Sequence, residues 1–187
     1  MARPKYSKRS RVPRKPYEKD RLIDEMKLLG EFGLKNKREL WTQEKICDDI
    51  KKRARDLLIS TDESEIIING RALLNKLIKL GIFSDVDFKD MDDIKRNLEK
   101  VLDLTASHFL RRRLQHRVFE ACLAKSVHHA RNLINHRHIT VRGCVIDKPG
   151  YMVFAENEGH IEINKFSSVG GAKPGRSKKK HAVAQGE

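Results

Sequence analysis

Arginine, lysine and histidine side chains follow one another at helical and turn spacing in the second half of the chain. An arginine fork can hold a phosphate group through two hydrogen bonds, and histidine can stack on a base or donate to a phosphate. If two neighbouring helices pack side by side, these side chains cover one outward surface, on which a structured RNA is the favoured ligand. They are Arg111, Arg112, Arg113, Arg117, Lys125, His128, Arg131, Arg137, His138 and Arg142.

Histidine is concentrated in the same region, which raises the question of metal binding. The possible ligands are two histidine pairs, His128–His129 and His136–His138, beside Cys122 or Cys144. Adjacent histidines on a helix point in different directions, however, and the sequence has no Cys-x-x-Cys pair to complete a tetrahedral set. It also lacks a phosphate-binding glycine loop, a Gly-x-Ser-x-Gly elbow and a His-Glu-x-x-His motif. We therefore expect no metal, no cofactor and no catalysis.

The net charge of +14 on 187 residues is concentrated at the two ends of the chain. Residues 1–17 carry seven basic and no acidic side chains, and residues 107–187 carry 15 basic and six acidic ones. The middle, residues 18–106, is nearly balanced, with 18 basic and 20 acidic side chains. Segregation of this kind favours a densely anionic partner that is bound at two places, and nucleic acid fits that description.

Plainer interpretations of this charge remain open. A high positive charge can serve solubility alone, and one or two of the arginines could pair with Glu120, Asp147 or Glu156. A membrane surface is less favoured, because no segment combines a basic face with a strong apolar face and no run of 18 apolar residues occurs. Three widely spaced cysteines indicate a reducing intracellular compartment, and the basic N-terminus does not resemble a secretory signal.

Apolar periodicity predicts that the middle of the chain is helical. The first helix starts at Tyr17, with Leu22, Met26 and Leu29 on one face, and ends before Gly30. Three more helices are expected at about 37–58, at 71–80 and after the acidic segment 84–93, the last of these with Ile94, Leu98 and Val101 on its inner face.

The pattern changes after residue 106. One helix is expected over Phe109–Lys125, with Leu114, Val118 and Cys122 facing inward, and Ser126 is placed to cap a second, short helix. The period then switches to two around Arg142-Gly143, which predicts a strand, a turn and a strand. Two more strands are expected at Met152–Ala155 and His160–Ile163.

Three stretches, in order along the chain, resemble one known family. Residues 124–142, followed by Pro149, resemble the S-four RNA-binding domain in the form carried by eukaryotic small-subunit ribosomal protein four, which is protein nine in eukaryotic numbering. Residues 17–41 are similar to the N-terminal signature of that family, and residues 170–180 are similar to its C-terminal tail. The resemblance covers nearly the whole chain.

Together, pattern and resemblance predict an α+β fold with basic disordered arms at residues 1–17 and 166–187. Between the arms lie a helical domain at 18–106 and a small S-four-type RNA-binding domain at 107–165. The arms supply further RNA-binding candidates, namely Arg9, Arg11, Arg14 and Lys15 at the start, and Arg176, Lys178, Lys179 and Lys180 at the end.

The resemblance implies a structural protein of the small (40S) ribosomal subunit that binds the 5′ domain of small-subunit ribosomal RNA and supports assembly and decoding accuracy. Its partners would be that RNA, neighbouring small-subunit proteins and mRNA near the entry channel, in the cytoplasm after passage through the nucleolus. Neither a membrane nor a small-molecule substrate is implied. The family's RNA contacts carry over to Lys125, Ser126, His129, Arg131, Arg137, His138 and Arg142, to the Arg112–Arg113 pair, and to Lys35, Lys37 and Arg38.

Two alternatives of different classes stay open. Residues 105–114 also resemble the nucleolar subunit of the U-three small nucleolar ribonucleoprotein, which acts in processing of ribosomal RNA precursors. That relative differs from this chain at residues 32–41 and in the tail. An RNA-modifying enzyme is disfavoured, because no acid–base constellation is left over once residues 107–165 are assigned.

Overall fold

The structure is a computed structural model that describes residues 9–83 and 90–169. The chain divides between Arg112 and Arg113 into two compact units, called here the helical unit and the C-terminal unit. The described part of the helical unit contains α1 (Lys19–Phe32), α2 (Lys37–Ile59), α3 (Glu63–Lys79), α4 (Met91–Leu102) and α5 (Ala106–Arg111). The described part of the C-terminal unit contains α6 (Leu114–Glu120), α7 (Val127–Asn135), β1 (Ile139–Val141), β2 (Cys144–Val145), a 3-10 helix (Ala155–His160) and β3 (Ile161–Ile163).

The long helix α2 is the centre of the helical unit. It packs against α1, α3, α4 and α5, and its inward positions Leu40, Ile50, Ala54 and Leu57 are buried. The backbone N–H of Glu39 donates to the Asn36 side chain at 3.2 Å, which caps the start of α2. The predicted helix at 37–58 is thus confirmed to within one residue at its end.

Helices α3 and α4 approach closely. A Cβ atom added to Gly70 of α3 would lie 2.8 Å from Cγ2 of Ile94, so the small residue allows the contact. Ile94, Leu98 and Val101 are completely buried, and the face predicted for this helix is confirmed. Helix α3 begins eight residues before the predicted start at residue 71, and residues 84–89 of the acidic segment lie outside the described residues.

The end of α1 differs from its prediction. The helix continues through Gly30 and stops at Gly33, whose φ of 58° is left-handed and whose N–H donates to the carbonyl of Gly30. Both positions hold glycine, so local sequence cannot choose between them. Met26, expected on the buried face, is exposed, and the buried positions of α1 are Glu25 and Phe32.

The C-terminal unit has a core between two helices and a small sheet. Strand β1 lies in the middle of the antiparallel order β2-β1-β3. The β1–β2 turn holds Arg142 at φ 51° and Gly143 at φ 79°, which is the two-residue hairpin that the sequence predicts. Completely buried core side chains include Leu114, Val118, Ala130, Ile134 and Ile139. The described residues thus confirm the predicted α+β class, mainly helical with a small sheet.

The single helix predicted at Phe109–Lys125 is wrong. Arg113 adopts an extended conformation (φ −70°, ψ 143°) between α5 and α6. The N–H of the next residue, Leu114, donates to the carbonyl of Tyr151 at 2.7 Å, and Arg113 forms an isolated β-bridge with Met152. The chain leaves the helix because a segment almost forty residues away in sequence takes up its hydrogen bonds.

Two further local predictions fail. Cys122, expected to face inward on that helix, is exposed and has a left-handed φ of 57° in the loop after α6. The strand expected at Met152–Ala155 reduces to the single bridge at Met152, and a 3-10 helix over Ala155–His160 precedes the last strand. The final strand, β3, is confirmed.

Candidate nucleic-acid interface

The N-terminus of α7 is fixed by reciprocal hydrogen bonds. Ser126 Oγ accepts from the backbone N–H of His129 at 3.1 Å, and the backbone N–H of Lys125 donates to Nδ1 of His129 at 3.2 Å. The predicted cap at Ser126 is therefore confirmed, and such caps stabilise a helix by about 1 kcal/mol. When His129 accepts through Nδ1, its other ring nitrogen carries the proton and can donate to a ligand.

Basic side chains surround this helix start. Lys125, His128 and His129 are exposed, and the first backbone N–H groups of a helix favour an anion nearby. A phosphate placed here would meet backbone donors, the Lys125 ammonium group and histidine rings that can donate hydrogen bonds.

Gln115 links α6 to α7 through hydrogen bonds. The sequence does not predict this role. Its side-chain amide donates to the carbonyl of Val127 at 3.1 Å, and its oxygen accepts from Nη1 of Arg131 at 3.2 Å. Gln115 is almost completely buried, so it sets the position of the half-buried Arg131. A lone glutamine beside an inward-facing leucine carries no sequence signal for this role.

Two arginines with left-handed backbone conformations add to these basic side chains. Arg137, with φ 62°, follows α7, and Arg142, with φ 51°, lies in the β1–β2 turn. Both are exposed. Arg137 lies 3.6 Å from Asp147, but both side chains are largely in solvent, where such a pair contributes little. His138, between the two arginines, is half-buried, with its ring centroid 6.1 Å from that of His136.

We call the set of exposed or half-buried basic side chains just before, on and after α7 the cationic surface. The structure places all of them in the C-terminal unit, at the start of α7, along it, after its end and in the β1–β2 turn. Its members are Lys125, His128, His129, Arg131, Arg137, His138 and Arg142.

Arg112 and Arg113 do not belong to the expected outward surface. Both are only 4% exposed. In the helical unit, the guanidinium of Arg112 lies so close to Gly81 that an added Cβ would be 2.8 Å from its Cζ. In the C-terminal unit, an added Cβ on Gly150 would be 3.2 Å from Nη2 of Arg113. The expectation of exposure is wrong, because the break between α5 and α6 turns these two side chains inward.

Arg117 is mostly occupied by carboxylates of its own unit. Its Nη1 forms an ion pair with Glu120 on the same helix and another, at 2.6 Å, with Glu158 of the 3-10 helix. Pairing of this kind is expected from the sequence for one or two arginines, with Glu120 among the candidate partners. Arg117 therefore ties α6 to the 3-10 helix, and its side chain is mostly buried.

In the helical unit, Lys37 also binds a carboxylate. Its Nζ lies 2.9 Å from Glu25, which also accepts from Arg21 at 2.5 Å and from the Trp41 indole at 3.0 Å. Burial raises the pKa of Glu25, but the hydrogen bonds from Lys37, Trp41 and Arg21 outweigh burial and hold this pKa below its ordinary value. The other two family positions, Lys35 and Arg38, are exposed.

The described end of the basic N-terminal arm is tied to α1. Nη2 of Arg21 donates to the carbonyls of Lys15 and Pro16, at 2.6 and 3.2 Å. Arg11 lines a surface cavity with three carboxylates of α2, those of Asp48, Asp49 and Asp56. The cationic side chains of this segment are exposed, and they are Arg9, Arg11, Arg14 and Lys15.

The C-terminal candidates Arg176, Lys178, Lys179 and Lys180 lie outside the described residues. Over residues 9–83 and 90–169, the structure has no group of three or more His, Cys, Asp or Glu side chains that could hold a metal ion. A search of the same stretches for a helix long and apolar enough to cross a membrane found none.

Comparison with known protein families gives one match to this region. Residues 112–156 match the family model of the S4 domain, the S-four RNA-binding domain of the resemblance above. The match spans α6, α7, β1 and β2, and therefore includes every member of the cationic surface. Residues 112–156 therefore form an S4 RNA-binding domain.

Proposed function

We propose that this protein is a structural constituent of the small (40S) ribosomal subunit that binds the 5′ domain of small-subunit ribosomal RNA. The proposal rests on one observation, an S4 domain whose cations are displayed at the start of α7 and in the β1–β2 turn. The three stretches that resemble the eukaryotic family of small-subunit ribosomal protein four support the choice of this RNA.

The cationic surface suits recognition of a folded RNA by its backbone. Duplex RNA has a deep, narrow major groove, so proteins bind it mostly by shape and by contacts to phosphate and 2′-hydroxyl groups. A short capped helix and a tight turn are rigid supports for such contacts. Arg137 and Arg142 can each offer a planar fork to a phosphate, while the N–H groups at the start of α7 offer backbone donors.

In this proposal the protein acts without catalysis, metal or cofactor. It supports subunit assembly and translational fidelity as a scaffold, contacts neighbouring small-subunit proteins, and meets mRNA near the entry channel. Its place is on cytoplasmic ribosomes, after passage through the nucleolus. The basic residues near the two ends of the chain add phosphate contacts.

Sedimentation of a tagged full-length chain from eukaryotic cells tests the proposal. We expect the protein in mature 40S particles and polysomes, and we expect crosslinks, mapped to nucleotides, in the 5′ domain of small-subunit RNA. A matched variant with Arg137→Glu and Arg142→Glu should no longer sediment with 40S particles and polysomes. Its circular dichroism spectrum should show that it remains folded.

The nucleolar alternative makes a different prediction in the same gradient. Residues 105–114, which span α5 and the start of α6, carry the resemblance to the U-three ribonucleoprotein subunit. Restriction to large nucleolar precursors would replace the ribosomal proposal with that alternative. Sedimentation of the protein alone near the top of the gradient would reject both.

A further inference from the structure

Phe166 is the most exposed phenylalanine among the described residues. It is 78% exposed and follows β3 in the C-terminal unit. A single exposed apolar side chain is ordinary on a protein surface, so exposure alone gives Phe166 no function. Its backbone setting and its charged surroundings are what distinguish it.

The turn that carries Phe166 is held in place by Asn164. The Asn164 Oδ1 accepts from the N–H of Phe166 at 3.0 Å, and the Asn164 carbonyl accepts from the N–H of Ser167 at 3.0 Å. Ser167 is buried. Phe166 is therefore part of an Asx turn, in which the asparagine side chain accepts from the backbone two residues on and orders the loop.

The same asparagine joins this turn to the cationic surface. The backbone N–H of Asn164 donates to the carbonyl of His138 at 2.7 Å, and its side-chain amide lies 3.5 Å from the carbonyl of Arg137. Lys165, next to Phe166 in sequence, is exposed as well. The backbone of the turn that carries Phe166 is therefore hydrogen-bonded, through Asn164, to the residues that follow α7.

We propose that Phe166 is a stacking site for an unpaired RNA base, next to the phosphates that the cationic surface binds. An aromatic ring beside cations is the combination that single-stranded RNA uses, because every base offers a flat face and its phosphate needs a counter-charge. The inference rests on the proposed RNA binding and adds the kind of RNA, a duplex adjoined by an unpaired nucleotide.

Charge favours a base over a protein side chain as the occupant. The residues joined to the Phe166 turn are Arg137, His138 and Lys165, and Arg137 is 72% exposed. Asp147 lies 3.6 Å from Arg137, but this ion pair does not bury the arginine side chain. A purely apolar protein partner would bury the charges of Arg137 and Lys165 without compensation, which is costly, whereas a nucleotide brings a base and a phosphate together.

The test uses the full-length chain and three RNA probes that share one duplex of about 16 base pairs. One probe is fully paired. The other two carry a single-stranded extension of six nucleotides that includes 2-aminopurine, one at the 3′ end and the other at the 5′ end. We expect the protein to bind at least one extended probe about tenfold more tightly, since stacking on one aromatic residue is worth roughly 1–3 kcal/mol, and to quench the 2-aminopurine.

Phe166→Leu should abolish both the preference and the quenching while leaving affinity for the paired duplex unchanged. Phe166→Trp should retain both. Phe154→Leu is the matched control, because Phe154 is a second exposed phenylalanine of the same unit, 44% exposed. We expect this change to alter neither the affinity for any probe nor the quenching.

Each other outcome overturns the inference. Equal affinity of the wild-type protein for all probes would refute the stacking site and leave the proposed RNA binding intact. Binding to no probe would remove the proposed function as well. If Phe166→Leu binds every probe with the affinity of the wild-type protein but no longer joins 40S particles, the ring contacts a protein instead of a base.

Discussion

Some basic side chains of the helical unit and of the S4 domain have opposite uses. In the helical unit, Arg21 and Lys37 bind the buried Glu25. In the S4 domain, Lys125 and Arg142 stand in solvent beside a capped helix and in a tight turn. The amino-acid types are the same, so the backbone on which each cation lies decides whether it can reach a ligand.

The contrast also occurs within the C-terminal unit. Arg113 and Arg137 are both arginines at non-helical backbone positions. One is 4% exposed and the other has 72% of its side chain exposed. A buried charge contributes to the fold through fixed partners, and an exposed one leaves the fold unaffected and remains available to phosphate. We therefore expect mutations of the two kinds to separate stability from RNA binding.

The largest loss of stability is expected from Arg113→Ala. The change removes a buried cation and the packing of its stem, which should cost about 3 kcal/mol of the free energy of unfolding. Arg111→Ala is the matched control, since Arg111 is exposed and its loss should cost less than about 0.5 kcal/mol. Urea unfolding of both variants measures the difference, and equal midpoints would contradict a structural role for Arg113.

Glu25→Gln should have the next largest effect, and the effect should depend on pH. The variant loses the charge that Arg21 and Lys37 bind but can keep the bond from Trp41. Hydrogen bonds to a charged group are worth roughly 1.5–3 kcal/mol, so we expect a loss of about 2 kcal/mol at pH 7.

The sign of the pH dependence follows from the lowered pKa of Glu25. Its ordinary value is 4.5, and protonation of the folded state is harder than protonation of the unfolded state. The stabilisation is fully present above about pH 4.5 and is lost as the pH falls through the lowered pKa. Unfolding of wild type and variant from pH 7 to pH 3 should therefore converge. A gap that stays constant would show that the carboxylate charge contributes nothing.

Gly81→Ala should cost less, about 1–2 kcal/mol. The φ of Gly81 is 69°, a left-handed conformation that a side chain disfavours, and the new methyl group would press on the Arg112 guanidinium. Gly30→Ala is the opposite control, because Gly30 lies within α1 with no neighbour within 4 Å. That change should stabilise by about 0.5–1 kcal/mol. Thermal melting compares the two, and a stabilised Gly81→Ala would contradict the close approach of Arg112.

The sequence predicted best the elements whose signals are local. Ser126 caps α7 as expected, Arg142-Gly143 forms the turn, and Ile94 lies on the buried face of α4. In each case the residue types within one or two turns of the chain determine the outcome. These elements also position most of the cationic surface, so the places of its side chains in the fold follow largely from local sequence.

Long-range contacts account for the main errors. Nothing near Arg113 indicates that Tyr151 will accept the Leu114 N–H and end the helix there. Consequently the sequence predicts one continuous helix where the structure has a break between α5 and α6. It also places Arg112 and Arg113 on an outward surface, whereas both are buried. Glu25 was missed for a related reason, since a carboxylate becomes a buried centre only once Lys37 and Trp41 are brought to it.

The smallest effect on stability is expected from Arg137→Gln combined with Arg142→Gln. Both side chains are exposed, so the unfolding free energy should change by less than about 0.5 kcal/mol. Glutamine keeps the length and polarity of each side chain, so only the charge is lost.

RNA binding should respond strongly to the same pair of substitutions. Each phosphate contact adds about 0.9 to the slope of log affinity against log salt on a B-form duplex and about 0.7 on a single strand. Loss of both contacts should therefore lower the slope for a 5′-domain transcript by roughly one and a half to two, measured between 50 and 200 mM salt as approximate limits. A lower melting temperature with an unchanged slope would instead place these arginines in the fold, like Arg113, and would end the distinction between the two kinds of cation.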